Sequence, residues 1–146
     1  MKVLIDTSVW SLALRRKEKE LHGRERGLIE ELGELVREGR VTVIGPVRQE
    51  LLTGVRSEKA FARLRDRMRL FPDEILTAED YEEAAKMSNR CRAAGVAGSP
   101  VDFLICSTAT RRELAIFTTD RDFDRYSKHI PVSLHKPRES STRAGF

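Results

Sequence analysis

Short apolar runs alternate with helix-forming segments along this 146-residue chain, and that alternation restricts its fold more than any other feature. Leu28, Leu32 and Leu35 show the helical spacing of apolar residues between two such runs. Strands are predicted at residues 2–5, 41–44, 74–76, 114–117 and 130–134. Because strands and helices alternate, we expect an α/β domain with a central, mainly parallel sheet of about four to five strands flanked by helices.

The length indicates a single domain, and the cysteine pattern indicates that its cysteines are thiols and not disulfides. We predict a domain at residues 1–135 and a polar, flexible tail at residues 136–146. No run approaches the ~18 apolar residues of a membrane span and the first residues show no signal-peptide pattern, so a cytoplasmic protein is expected. Cys91 and Cys106 form neither a CxxC pair nor a zinc pattern, and we interpret both as small packing residues.

Helix start and stop signals define the elements between the strands. Ser99 followed by Pro100 is typical of an N-cap and a first helical residue. Gly39 and Gly54 are plausible stops. Helices are predicted at residues 8–14, 24–38, 46–52, 57–71 and 77–94, from residue 99, and within 120–126; residues 15–20 form a charged polar stretch.

The charge balance is compatible with a polyanionic partner but does not require one. Charged residues make up 34% of the chain and the net charge is +4. The helix predicted at 57–71 has an apolar stripe that includes Phe61, and part of the charge excess lies on its other side. We interpret that side as a solvated surface or as a contact for RNA phosphates or an acidic partner segment. This basic face consists of Arg56, Lys59, Arg63 and Arg67.

Four acidic residues lie where apolar runs give way to helices. Asp6 and Asp120 follow predicted strands, Asp102 begins an apolar helix, and Glu50 lies in the helix after the second strand. The carboxyl ends of parallel strands meet at one edge of a sheet, so these acids can come together there. Gathered carboxylates repel one another unless a hard cation such as Mg²⁺ or Mn²⁺ neutralises them. The four acids therefore predict a metal site suited to phosphate chemistry.

Each acid also has an explanation that involves no metal. Asp6 and Asp120 could cap the helices that follow them, and Asp102 could accept a hydrogen bond from the Ser99 amide in a capping box. Glu50 lies past the first turn of its helix, where no free amide needs it. We expect Glu50 to be partly covered by neighbouring apolar residues, although a solvent-facing position stays open. The metal site depends on all four acids together.

Four motifs resemble PIN-domain ribonucleases, especially VapC toxins, over nearly the whole chain, from residue 1 to about 134. The charged stretch after the first helix and the basic tail depart from the family pattern. The motifs are Asp6-Thr7-Ser8-Val9-Trp10, Gln49-Glu50-Leu51-Leu52-Thr53-Gly54, Pro100-Val101-Asp102-Phe103-Leu104-Ile105 with Ala109, and Thr118-Thr119-Asp120-Arg121-Asp122-Phe123.

The resemblance implies roles for these residues. Asp6, Glu50, Asp102 and Asp120 would form an acidic pocket for Mg²⁺ or Mn²⁺ and catalyse RNA hydrolysis that leaves a 5′ phosphate. Thr7 or Ser8 would orient a carboxylate or a water by hydrogen bonding. Asp122 would bind a second metal or, alternatively, act as a first-turn acid paired with Arg121 or Arg125.

No side chain is an obvious nucleophile, so the metal is expected to polarise the phosphate and activate a water. The histidines His22, His129 and His135 lack metal-ligand spacing and are assigned surface or structural roles. A haloacid-dehalogenase phosphatase needs an acid where Ser8 stands. A receiver domain needs an acidic pair and a lysine that are not visible.

Partners are predicted by the resemblance alone. It implies an RNA substrate, a VapB-type antitoxin that covers the acidic pocket, and a homodimer. The alternative function belongs to another class: a noncatalytic PIN-like module that binds RNA or protein and in which the acids are structural.

Overall fold

Five parallel strands form one sheet in the computed structural model, which describes residues 1–15, 19 and 21–139. The strands are β1 (Val3–Ile5), β2 (Val41–Ile44), β3 (Asp73–Glu74), β4 (Ala115–Phe117) and β5 (Ser133–Leu134). Their order across the sheet is β3-β2-β1-β4-β5. The predicted α/β fold with a parallel sheet is confirmed.

Seven α-helices flank and connect these strands within the described ranges. They are α1 (Thr7–Leu14), α2 (Gly23–Arg37), α3 (Gly45–Leu52), α4 (Glu58–Met68), α5 (Ala78–Ala93), α6 (Pro100–Arg111) and α7 (Asp122–Tyr126). None of them is long and apolar enough to cross a membrane.

The predicted start and stop signals operate in the structure. The Ser57 hydroxyl accepts the Ala60 amide at the start of α4, and the Ser99 hydroxyl accepts the Asp102 amide at the start of α6. Pro100 lies in the first turn of α6, where its missing N–H costs nothing. Gly39 follows α2 with a φ of +65°, a conformation that glycine adopts without a steric penalty.

The central strand β1 is buried along its whole length, as expected for a parallel sheet covered on both faces. Cys91 and Cys106 are also buried and both are free thiols, as predicted. Burial raises the pKa of both thiols, so neither is poised to act as a thiolate nucleophile.

Three predicted boundaries are wrong. The last strand covers only residues 133–134, because the Ile130 amide bonds to the Tyr126 carbonyl and extends the turn after α7. The third strand begins one residue earlier than predicted and ends at Glu74. Helix α4 ends at Met68 and not at the predicted residue 71. Phe61 of its apolar stripe is 36% exposed, because it lies at the edge of the buried face of the helix.

The last described residues contact α2. Buried Glu31 bonds to the His135 Nε2 atom at 2.6 Å and to the Arg138 Nε atom at 2.8 Å. The other guanidinium nitrogens of Arg138 contact both carboxylate oxygens of Glu38 at 2.8 Å. His135 thus has a structural contact. The predicted domain end at residue 135 stays a prediction. Residues 140–146 of the predicted tail, and residues 16–18 and 20 of the charged stretch, lie outside the described part of the chain.

Candidate metal centre

The carboxyl ends of β1 and β4 bring distant acids together. These strands are parallel neighbours in which Ile5 is paired with Phe117, and the Asp6 amide donates to the Phe117 carbonyl at 2.9 Å. Asp6 therefore lies beside the segment 118–120 that leaves β4. The two segments are close because β1 and β4, which are far apart in sequence, pair as parallel strands.

Three acids form a group with ligand spacing. One carboxylate oxygen from each of Asp102, Asp120 and Asp122 lies within 4.8 Å of the other two. Asp102 is at the first turn of α6, whereas Asp120 and Asp122 precede and begin α7. Oxygen ligands at this separation suit a hard divalent cation. Two of the predicted ligands, Asp102 and Asp120, are thus brought together with the secondary candidate Asp122.

Asp6 is not part of this group, but its charge acts on Asp102, and it is only 4% exposed. Its Oδ2 atom accepts hydrogen bonds from the Ser8 hydroxyl at 2.6 Å and the Thr118 hydroxyl at 2.8 Å. Burial raises the pKa of Asp6, and these two hydrogen bonds offset the rise only in part. Asp6 occupies the N-cap position of α1, but its side chain makes no capping hydrogen bond. The backbone amides of Thr7 and Ser8 nevertheless lower the pKa of Asp6, so the capping explanation holds in part, as an electrostatic contact with the start of α1.

Asp102 has a clearly raised pKa. Burial is the main cause that raises its pKa to about 6, and the charges of Asp6 and Asp120 raise it further. The Tyr126 hydroxyl donates to Asp102 Oδ2 at 2.7 Å and opposes the rise. The Ser99 hydroxyl caps the Asp102 amide, and no reciprocal capping box is found at the start of α6. The carboxylate of Asp102 is therefore held by a tertiary contact.

The Tyr126 contact needs a glycine at position 98. A Cβ atom at this position would overlap the hydroxyl oxygen of Tyr126 and approach the ring of Phe103. Tyr126 is itself fully buried, with its ring 4.9 Å from Phe103 and 5.3 Å from Phe123. Close approach of the 98–99 segment and ring packing together direct the hydroxyl at Asp102.

Asp120 and Asp122 also make local contacts. Asp120 Oδ1 accepts the Asp122 amide at 2.9 Å, and the Asp120 amide donates to the Thr118 hydroxyl at 2.9 Å. Asp122 pairs with Arg125 at 3.4 Å. The helix-start explanation thus holds in part for both acids. A carboxylate has lone pairs for more than one partner, so these contacts leave room for a cation.

Glu50 and Thr7 stand apart from these contacts. The expectation that Glu50 is partly covered is wrong, because its side chain is exposed on α3 and lies outside the three-acid group. The buried Thr7 hydroxyl has no hydrogen-bond partner among the described residues. Ser8 is therefore the member of the pair that holds a carboxylate; it also accepts the Thr119 amide at 3.0 Å.

Two functional candidates were missed in the sequence. Thr118 connects Asp6 to the Asp120 amide through one hydroxyl, and Tyr126 holds Asp102. Thr118 stands within a motif that was singled out for its aspartates, so its signal was present but unused. Nothing in the local sequence distinguishes Tyr126 from an ordinary core aromatic residue.

The basic face of α4 does not adjoin the three acids. Its residues are exposed, and Arg63 and Arg67 line a separate cavity with Arg15, between the ends of α1 and α4. None of the acids lines that cavity. The predicted role of Arg56, Lys59, Arg63 and Arg67 in RNA or partner contact stays a prediction.

Comparison with known proteins points to one family. A family model described as the PIN domain matches residues 3–129, which is most of the chain. A search of curated proteins found no match.

Solved structures share the fold at low sequence identity. FitAcB from Neisseria gonorrhoeae is 23% identical with a TM-score of 0.70, covering 92% of this chain and 97% of that one. FitAB bound to an IR36 DNA fragment is 21% identical with a TM-score of 0.68, covering 94% and 98%. VapBC2 from Rickettsia felis, bound to a DNA fragment from its promoter, is 15% identical with a TM-score of 0.72, covering 92% and 98%.

Proposed function

Because this chain belongs to the PIN domain family, we propose that it is a metal-dependent endoribonuclease and the toxin of a VapBC-type toxin–antitoxin pair. PIN domains are generally nucleases that bind divalent metals. The observation that carries the proposal is the convergence of Asp102, Asp120 and Asp122 within 4.8 Å, beside buried Asp6. Such a gathering of carboxylates is costly without a cation and useful with one.

Asp102, Asp120 and Asp122 would hold Mg²⁺ or Mn²⁺, and Asp6, a metal ligand by the family resemblance, would add a further negative charge. Bound there, the ion would neutralise charge that develops on the phosphate and make a water more acidic. The protein's own residues fix the acids in place. Ser8 and Thr118 hold Asp6, and Tyr126 holds Asp102.

Glu50 remains a proposed fourth acid through the family resemblance. It is exposed, whereas Asp6 is buried, so the two would differ in how firmly they are held. Cys91 and Cys106 are buried thiols with raised pKa values, which supports a metal-assisted hydrolysis over attack by a side chain.

Partners follow from the same proposal. The three similar structures are those of FitAcB, FitAB and VapBC2, and the latter two are bound to DNA. We infer that an antitoxin of the VapB type binds this chain, that the chain forms a homodimer, and that it acts on RNA in the cytoplasm.

The decisive experiment is an RNA cleavage assay with purified protein. We expect cleavage with Mg²⁺ or Mn²⁺, and none with EDTA. Asp6→Asn, prepared in the same way, controls for contaminating nuclease and should be inactive. A noncatalytic RNA-binding module is the alternative, because Asp120 and Asp122 also serve the start of α7. Binding without metal-dependent cleavage would establish that alternative.

Tyr126→Phe is expected to weaken Mn²⁺ binding about 10- to 100-fold, the usual cost of losing a residue that orients a ligand. The variant keeps the ring packing on Phe103 and Phe123 and removes only the hydroxyl that donates to Asp102. Mn²⁺ titration by calorimetry measures the change. Tyr81→Phe, at a tyrosine that is 52% exposed, is the matched control. Equal affinities for the two variants would show that Tyr126 does not position Asp102.

A further inference from the structure

A groove of about 460 Å³ opens beside the candidate metal centre, along the carboxyl ends of β4 and β5. One wall is the first part of α2, and the opposite wall is the chain from residue 134 to 139. Asp120 and Thr119 line the groove, so it reaches the acids. A second cavity of about 400 Å³ shares Arg24 and Thr119 with it and continues to Ser8, which holds Asp6. The two cavities are therefore neighbours on the same side of the domain, and the first of them contains Asp120.

Three cationic side chains in this groove make no hydrogen bond or ion pair among the described residues: Arg24, Arg121 and Lys136. All three are exposed. The acids Asp124 and Glu139 also line the groove, so the cations are separate contact points rather than one uniformly positive surface. Leu134 and Pro137 provide apolar surface between them. Spaced cations with apolar surface between them suit the alternating phosphates and sugars or bases of a single strand.

The outer wall is anchored. Lys136 lies between His135 and Arg138, which both contact Glu31, a glutamate only 3% exposed. Arg138 also contacts Glu38 through two nitrogens, and this guanidinium lowers the pKa of Glu38 to about 2. The backbone of Lys136 is therefore held on both sides. A cation fixed in this way loses less freedom when it binds an anion.

We propose that Arg24, Arg121 and Lys136 bind backbone phosphates of single-stranded RNA on one side of the bond that is cut. The proposal rests on the proposed nuclease function, because a strand cleaved at the acids must continue away from them. Among the cavities of the described residues, this groove contains Asp120, whereas the cavity beside the basic face of α4 contains none of the acids.

The test measures binding of a labelled single-stranded RNA by fluorescence anisotropy, in EDTA and over a range of salt concentrations. Each phosphate contact contributes roughly 0.7 to the slope of log Kd against log salt for single strands. The variant Arg24→Gln with Arg121→Gln and Lys136→Gln should bind more weakly, with a slope lower by about 2. The matched control replaces Lys86, Arg90 and Arg92 with Gln, which removes the same charge from exposed positions of α5 and should leave the slope near that of wild type.

An unchanged slope in the groove variant overturns the proposal, and so does an equal loss in both variants, which would indicate a general charge effect. If the triple variant does not fold, each single replacement should lower the slope by roughly 0.7. The assay contains no metal, so it separates this proposal from the nuclease assignment. If wild type cleaves RNA but the groove variant keeps the wild-type salt slope, only the proposed phosphate contacts are overturned. If the groove variant loses slope but wild type shows no metal-dependent cleavage, only the nuclease assignment is overturned.

Discussion

Asp102→Asn is expected to lower Mg²⁺-dependent RNA cleavage by about 1000-fold or more. A metal ion contributes several kcal/mol of charge stabilisation in reactions of this kind, and each 1.36 kcal/mol is tenfold in rate. Asp102 is the most constrained of the three grouped acids, because both its burial and its contact with Tyr126 fix it near Asp120. An amide offers one neutral oxygen in place of a carboxylate, so the ion would lose both a charge and a ligand.

The fold should survive this substitution. The Asn oxygen can still accept the Tyr126 hydroxyl, and the Ser99 hydroxyl caps a backbone amide that Asn also has. Initial cleavage rates at saturating Mg²⁺, together with a circular dichroism spectrum, measure both effects. Glu82→Gln, the same acid-to-amide change at an exposed position of α5, is the control. Cleavage within tenfold of wild type in a folded Asp102→Asn protein would contradict the proposed metal centre.

The sequence predicts most of the architecture because local signals and the global fold agree. Ser57 and Ser99 start helices where expected, and β1, β2 and β4 lie within a residue of their predicted ends. The prediction of β5 was too long because it relied on apolar character. Ile130 is buried, yet its amide closes the turn after α7 instead of joining the sheet.

The site was predictable where it depends on topology, and not where it depends on side-chain packing. Parallel pairing of β1 with β4 brings Asp6 near Asp120, and a strand–helix pattern is enough to expect this. Tyr126 reaches Asp102 only because α7 packs on α6 and position 98 has no side chain. The burial of Glu50 was mispredicted because apolar neighbours in sequence do not determine which side of a helix is covered.

The local contacts explain how the protein tolerates the acids in the absence of a cation. Hydroxyl groups of Ser8 and Thr118 donate to Asp6, and that of Tyr126 donates to Asp102. The Asp122 amide at the start of α7 donates to Asp120 Oδ1. These hydrogen bonds oppose the cost of burial without cancelling it, since the pKa values of Asp6 and Asp102 remain raised. The remaining cost should be measurable as a dependence of stability on pH.

Metal-free wild-type protein is expected to lose up to about 3 kcal/mol of unfolding free energy between pH 4 and pH 7 through Asp102. Burial and neighbouring acids raise the pKa of Asp102 from 3.8 to about 6 in the folded protein, and a change of that size corresponds to about 3 kcal/mol. Solvent screening at this partly buried side chain makes the value an upper limit. Between the two pKa values the folded state binds more protons than the unfolded state, so stability falls as pH rises. The raised pKa of Asp6 acts in the same direction.

The pH dependence due to Asp102 can be measured by urea unfolding in EDTA at pH 4.5, 5.5, 6.5 and 7.5. It is the difference in unfolding free energy between wild type and Asp102→Asn, which lacks the titrating group. Glu38 and Asp80, whose pKa values are lowered by arginines, lose their contributions progressively below about pH 5, but both proteins carry these groups, so their effect cancels in the difference. At pH 7.5 the variant should equal or exceed wild type in stability.

Mn²⁺ at 100 times its Kd should then add about 2.7 kcal/mol to the unfolding free energy of wild type and much less to that of the variant, because only wild type offers the full set of acids. If Asp102 were only a helix cap, the substitution would instead destabilise the protein, because loss of a capping carboxylate costs about 1 kcal/mol with or without metal. A variant that is less stable than wild type in EDTA and gains equally from Mn²⁺ would therefore exclude Asp102 as a metal ligand.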